Sequence, residues 1–294
     1  MSILAPWFYR NLLDSNDIIE LPEFFKVEIL TGEILFEAVC SLKKTHRPDW
    51  VSKSAVYNNR DGAGTSQFKN IAVYKAISET LERWAFYVTA DTDESKKCCF
   101  DINPTTTGMA AYPGLTAKGA RANAIMEANE RWALHEFWRG NLPVRKHLSP
   151  IENLSHFEIV TPFKNCQISL LSYENNSQYL YAFAAEETLG KSFQHALVEL
   201  ARNIRVMEKI KDAPKKIEDF NEISDKRLYY FSTEEGHNLF NDRLGNTTKS
   251  ILTTPNLVCD LEIKGPWNQY TKVWRYLYAD SYPDSETDHT IFMF

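Results

Sequence analysis

Apolar residues along positions 67–89 recur at spacings of three and four, so that Tyr74, Ile77, Leu81, Trp84 and Val88 define one face of a predicted helix. Residues 117–138 predict a second helix, with Ile125, Asn129 and Trp132 on one face. The two segments are copies: residues 75–87 return at 123–135 with seven of thirteen positions identical. The positions kept are Ala, Ile, Glu, Glu, Arg, Trp and Ala, which is a site pattern as well as a packing pattern. Asn129 stands where the first copy has Leu81, a polar interruption of the apolar face.

In the first copy Glu79 and Glu82 project away from the apolar face, yet Phe68, Ala72 and Phe86 share their side. Glu127 and Glu130 share theirs with Ala120, Leu134 and Trp138. A helix apolar on both sides is a buried helix. Four partly buried carboxylates are costly unless protonated or neutralised. A divalent cation is the economical neutraliser, because Mg²⁺ binds one or two carboxylates together with phosphate oxygens and water. Arg83 and Arg131 have two readings, internal charge balance or contact with a phosphate.

Elsewhere Phe25, Val27, Ile29, Ile34 and Phe36 alternate around Thr31, Gly32 and Glu33, which predicts a hairpin. Residues 58–66 read as a turn ending in hydroxyl residues that cap the first helix. Residues 98–102 read as a strand and 103–114 as a loop whose Thr and Gly residues suit a phosphate or any turn. Residues 166–171 and 179–184 predict strands, followed by a third helix with Ser192 as N-cap and Ala196, Glu199, Asn203, Val206 and Ile210 along its length. Glu199 interrupts an apolar run, which suggests a partner. Residues 211–219 read as a solvated, lysine-rich loop or helix start, and 220–250 carry no decisive pattern. Residues 256–263 and 270–278 predict two more strands. With no compositional break, residues 1–294 are expected to form one α/β (α+β) domain.

The formal charge of −6 gives no global attraction to nucleic acid or an anionic membrane. No apolar run approaches the roughly 20 residues of a membrane span. The start lacks a basic segment leading into an apolar one. Five scattered cysteines lack paired zinc spacing. The expectation is a soluble, cytoplasmic protein with reduced thiols. His135 and His195 read as packing or interface residues. No Walker motif and no Ser-His-Asp or Cys-His arrangement is present.

Three separated motifs, in order, resemble those of the YcaO family of ATP-dependent enzymes that modify peptide backbones, over roughly residues 59–205. The Ser-x-x-x-Glu-x-x-Glu-Arg motif appears with Lys75, Glu79, Glu82 and Arg83. An Asn-Gly-containing loop before a second Glu-x-x-Glu-Arg appears as Thr107 and Gly108, then Glu127, Glu130 and Arg131. Ser-x6-Glu-x3-Gln appears as Ser192, Glu199 and Asn203. The resemblance implies a YcaO-like fold of repeated helix and antiparallel-strand units. It implies ATP held by Lys75, Arg83, Arg131, Ser192 and Asn203, and Mg²⁺ held by Glu79, Glu82, Glu127, Glu130 and Glu199.

The activity it implies is phosphorylation of a backbone amide oxygen in a ribosomally made peptide, leading to an azoline, amidine or thioamide. The alternative is a non-catalytic nucleotide-binding or scaffold subunit of a peptide-modification complex. Lys75 replaces the motif's Ser, Ala63 stands where Lys is common, and Asn203 replaces Gln; Lys75 is expected to restore the cation lost at position 63. The last residues, 291–294, are not the proline-rich tail usual in azoline-forming members. The chain leaves no room for the additional substrate-binding domain of fused cyclodehydratases, so the expected partners are the peptide substrate and a separate subunit, E1-like or TfuA-like, that delivers it. Homo-oligomerisation is compatible with the same reading.

Overall fold

The computed structural model describes residues 8–15, 17–51, 60–114, 116–175, 178–210, 216–245, 254–279 and 288–292. The readings of 58–59, 211–215, 293–294 and most of the tail after 279 lie outside these residues. A short α1 (Arg10–Ser15) precedes β1 (Glu23–Glu28), β2 (Ile34–Cys40) and β3 (Gly62–Ser66), and α2 (Lys69–Ala90) follows. Next come β4 (Met109–Pro113) and α3 (Lys118–Trp138). Strands β5 (Val144–His147), β6 (Leu154–Ile159), β7 (Gln167–Asn175) and β8 (Gln178–Glu186) lead to α4 (Leu189–Ile210). Helices α5 (Ile223–Phe231) and α6 (Glu234–Gly245) precede β9 (Leu257–Ile263) and β10 (Thr271–Tyr278).

The strands form three antiparallel sheets, ordered β1-β2-β3, β4-β10-β9 and β5-β6-β7-β8. One long helix packs on each, and in every case it follows directly from a strand of that sheet: β3 leads into α2, β4 into α3 and β8 into α4. Ile77, Leu81 and Trp84 bury one side of α2 among Ala38, Cys40 and Val273, and Ala72, Ala76 and Phe86 bury the other. Of the predicted face, Val88 alone is well exposed. Trp132 and Phe137 of α3 pack with Ile168 and Phe240, and Leu197 and Leu200 of α4 with Leu171 and Leu180. Asn129 is accommodated in the core because the Tyr278 hydroxyl donates to its Oδ1 at 2.7 Å.

The expected turn before α2 is instead strand β3. A Cβ on Gly62 would lie 2.2 Å from the Ala76 carbonyl oxygen, and one on Gly64 2.3 Å from that of Ala72, so the missing side chains let the strand lie directly on the helix. The strand expected at 98–102 is a run of turns with Cys99 at φ +55°; Cys98 and Phe100 are buried by the bend, not by a pleat. The loop expected at 103–114 contains β4, whose partner β10 lies more than 150 residues away, with Ala110 opposite Trp274. Gly108 opens β4 at φ +67°, where a Cβ would lie 1.8 Å from the Tyr276 carbonyl oxygen. Helix α4 begins before Ser192: Thr188 Oγ1 accepts the Lys191 N–H at 3.4 Å, and Ser192 is already inside the first turns. Helices α5 and α6 occupy the stretch without a pattern. Among the described residues no helix is long and apolar enough to cross a membrane.

Candidate functional site

Nine of the ten predicted site residues line one cavity of about 1940 Å³. From α2 come Lys75, Glu79, Glu82 and Arg83, from α3 Glu127, Glu130 and Arg131, and from α4 Glu199 and Asn203. Ser192 is not among them. Its buried hydroxyl bonds to Ser169 Oγ (2.8 Å) and the Leu189 carbonyl (3.0 Å), placing it in the packing between α4 and β7.

The paired glutamates anchor their helices to backbone donors. Glu79 Oε2 accepts the Ala63 N–H of β3 at 2.9 Å, and Glu82 accepts from the backbone of Ala111 on β4. Glu130, the second-copy counterpart of Glu82, accepts the Ala185 N–H of β8 at 2.7 Å. The second Glu of each copy therefore reaches the next sheet along the chain.

Burial holds the carboxyls of Glu82 and Glu127 above their ordinary values, that of Glu127 at about 7; repulsion from Glu127 adds to the rise at Glu82, and from Glu130 and Glu79 to that at Glu127. Burial likewise raises Glu130 against the opposing pull of Arg131. Arg83 donates to Thr106 Oγ1 and stands 3.8 Å from Glu79, which ties α2 to the loop before β4. Arg131 lies 3.9 Å from Glu130 and over the Phe183 ring at 5.5 Å.

On α4 the residue that meets Glu199 is Arg202, with Nη1 donating at 2.7 Å; Asn203 instead gives its Nδ2 proton to the Tyr181 carbonyl at 2.7 Å. Despite the cost of burial, Arg202 and His195 hold the Glu199 carboxyl below its ordinary value. His195 lines the cavity, with Nδ1 3.2 Å from Glu186 and Nε2 3.7 Å from Glu199, and these carboxylates raise its pKa against the cost of desolvation. It was read as a packing or interface residue, and its place is the cavity wall. The signal was present: His195, Glu199 and Arg202 fall at helical spacing on one face of α4. Glu186, Thr65 and Glu37, which complete this wall, come from strands and leave no such trace.

The residues fit a polyphosphate that arrives with divalent cations. Twelve carboxylate side chains line the cavity against seven of Lys and Arg, so a bare polyanion is repelled. At the same time Arg131 and Arg202, both in the lining, each keep a buried Nε–H without an acceptor. Among the described residues no group of three or more His, Cys, Asp or Glu side chains is arranged to hold a metal by itself. Mg²⁺ is commonly held by one or two carboxylates plus substrate phosphates.

The three sheets and the helices that wall this cavity make up the YcaO fold, in an α/β arrangement. Among solved structures, YcaO from Methanopyrus kandleri bound with AMPPCP and Mg²⁺ matches at a TM-score of 0.56 and 13% identity, over 94% of this chain and 89% of that one. A chain of the E. coli microcin synthetase McbBCD complex with pro-MccB17 bound matches at 0.57 and 12% identity, over 87% of each. A heterocyclase in complex with substrate and cofactor matches at 0.55 and 10% identity, over 93% of this chain and 51% of that one. No family sequence model and no curated protein sequence matches the chain.

Proposed function

We propose that this protein is an ATP- and Mg²⁺-dependent enzyme that activates backbone amides of a ribosomally made peptide for azoline, amidine or thioamide formation. The observation that carries the reading is the shared cavity, into whose lining the repeated Glu-x-x-Glu-Arg helices bring Glu79, Glu82, Glu127 and Glu130 in protein of the YcaO fold. When bound, Mg²⁺·ATP supplies a phosphoryl group that makes an amide oxygen a good leaving group. Glu82 and Glu127 would share the metal, which relieves their mutual repulsion. Arg131, Arg202 and Lys75 would hold phosphate oxygens, with Lys75 fixed by its bond to the Thr65 carbonyl at 3.2 Å. Arg83 holds the loop at Thr106 against α2. His195 favours the ionised forms of Glu186 and Glu199.

A non-catalytic nucleotide-binding subunit is the second reading, favoured by the engagement of Glu79, Glu130 and Glu199 with donors of the protein itself. Either role is consistent with a separate peptide-delivering subunit, and with peptide as the partner.

AMPPCP at a hundredfold excess over its Kd stabilises a protein by about 2.7 kcal/mol. Thermal denaturation should show this only when Mg²⁺ is also present, and the double substitution Glu82→Gln, Glu127→Gln should abolish it. A shift independent of Mg²⁺, or none, rules the reading out. Phosphate release, and loss of water or exchange of oxygen for sulfur in a co-expressed peptide seen by mass spectrometry, separate the enzyme from the scaffold.

A further inference from the structure

The cavity wall contains an ion cluster that joins α4 to β2. Glu37 of β2 is buried, and its Oε2 accepts from Arg205 Nη2 while Arg202 Nε stands 3.8 Å away. Arg202 is further held by Glu199 and by Thr65 Oγ1 at 2.8 Å. Arg205 has Glu37 as its ion-pair partner among the described residues and lies 6.0 Å from the Phe25 ring. Arg202 Nε and Arg205 Nη1 are buried without an acceptor.

Two guanidiniums present ten N–H donors between them, and Glu37, Glu199 and Thr65 together still leave Arg202 Nε and Arg205 Nη1 without acceptors. A terminal phosphate, with three oxygens and two negative charges, matches such a pair better than a carboxylate does. Lys75 adds a third cation, because its ammonium bonds to the carbonyl of Thr65, whose hydroxyl Arg202 holds. Lys75, Arg202 and Arg205 thus stand together on one side of the cavity, with Glu37, Glu186 and Glu199 beside them.

We propose that Arg202 and Arg205 form a phosphate subsite of this cavity, and that Glu37 is its internal counter-ion, displaced when a phosphate-bearing ligand seats between α4 and β2. The inference deepens the nucleotide reading above and rests on it for the ligand class. A purely structural ion cluster would lose stability on removal of Glu37 and gain no affinity. A displaced counter-ion loses stability and gains affinity together.

Titration calorimetry of the full chain with inorganic tripolyphosphate and Mg²⁺ tests this. Glu37→Gln should tighten binding about tenfold and Arg205→Gln should weaken it about tenfold, the scale of one charge-assisted hydrogen bond. Glu37→Asp, which withdraws the carboxylate by one methylene and keeps its charge, guards against misfolding of the amide variant and should tighten binding by a smaller factor. Ligand-free melting curves identify any variant that has not folded. Unchanged or weaker binding in both Glu37 variants, unchanged binding in Arg205→Gln, or no binding of tripolyphosphate to any of them overturns the proposal. AMPPCP in place of tripolyphosphate distinguishes the two failures. Tripolyphosphate binding that responds to Glu37, without AMPPCP binding, removes the nucleotide reading and leaves the subsite. AMPPCP binding indifferent to Glu37 and Arg205 does the reverse.

Discussion

Glu79 and Glu127 occupy equivalent places in two copies of one helix, yet only Glu79 is hydrogen-bonded to a strand N–H among the described residues. The burial of Glu127 gives the metal-free protein a pH dependence. Burial, with Glu130 nearby, holds the Glu127 carboxyl at about 7, above the ordinary 4.5 of the unfolded chain. The folded state therefore keeps a proton that the unfolded state releases. The stability this contributes is fully present below about pH 4.5 and is lost as pH rises through about 7. In chelator, the Tm should fall between pH 5 and pH 8 on this account, roughly the window set by the two values. Glu127→Gln should flatten that part of the profile, and an unaltered slope would assign the effect elsewhere. At this scale the repeat made the glutamates and arginines visible as candidates. It could not show which had a protein donor, because the donors, Ala63 N–H and Ala185 N–H, are backbone groups of strands.

Helices α2 and α3 were legible because both copies keep the three-and-four spacing and the buried small residues that let other elements approach. Strand β3 was not, because Gly and Thr are turn residues by local preference and become strand residues only when a helix lies across them. Gly62→Ala tests this. Its Cβ would meet the Ala76 carbonyl, and overpacking of this kind typically costs about 1–3 kcal/mol. Urea denaturation should show the loss at unchanged m-value, with Gly245→Ala, which meets nothing within 4 Å, as the matched control. Because β3 carries Ala63 and Thr65 into the cavity wall, nucleotide binding should weaken with it. The start of α4 followed the same logic: Ser192 has the chemistry of a cap, but Thr188 has the position.

For the molecule as a whole, three strand-to-helix units close around one cavity and are joined by side chains that cross between them. Glu82 reaches β4, Glu130 reaches β8, and Arg202 reaches β3. Phe292 closes a different side. It is fully buried, stacked on Trp138 at 5.5 Å, 5.2 Å from Tyr181 and 6.4 Å from Phe183, whose ring lies beneath Arg131. Phe292→Ala should cost about 3–5 kcal/mol in chemical denaturation. A cost below about 1 kcal/mol, the level of a surface change, would show that this packing is not formed in solution.

Three long helices, the carboxylate and arginine pairs they carry, the hairpin and the late strands were legible in the residues alone, because periodicity and repetition are local properties, whereas α5 and α6 were not. It also carried the resemblance that the fold then bore out. Folding in three dimensions settles that β4 pairs with β10, that His195, Arg202 and Arg205 belong to the cavity while Ser192 does not, and that Glu37 stands between two arginines. Those relations link residues far apart in the chain, and burial, charge and backbone donors acquire their partners only when the three sheets close around the site.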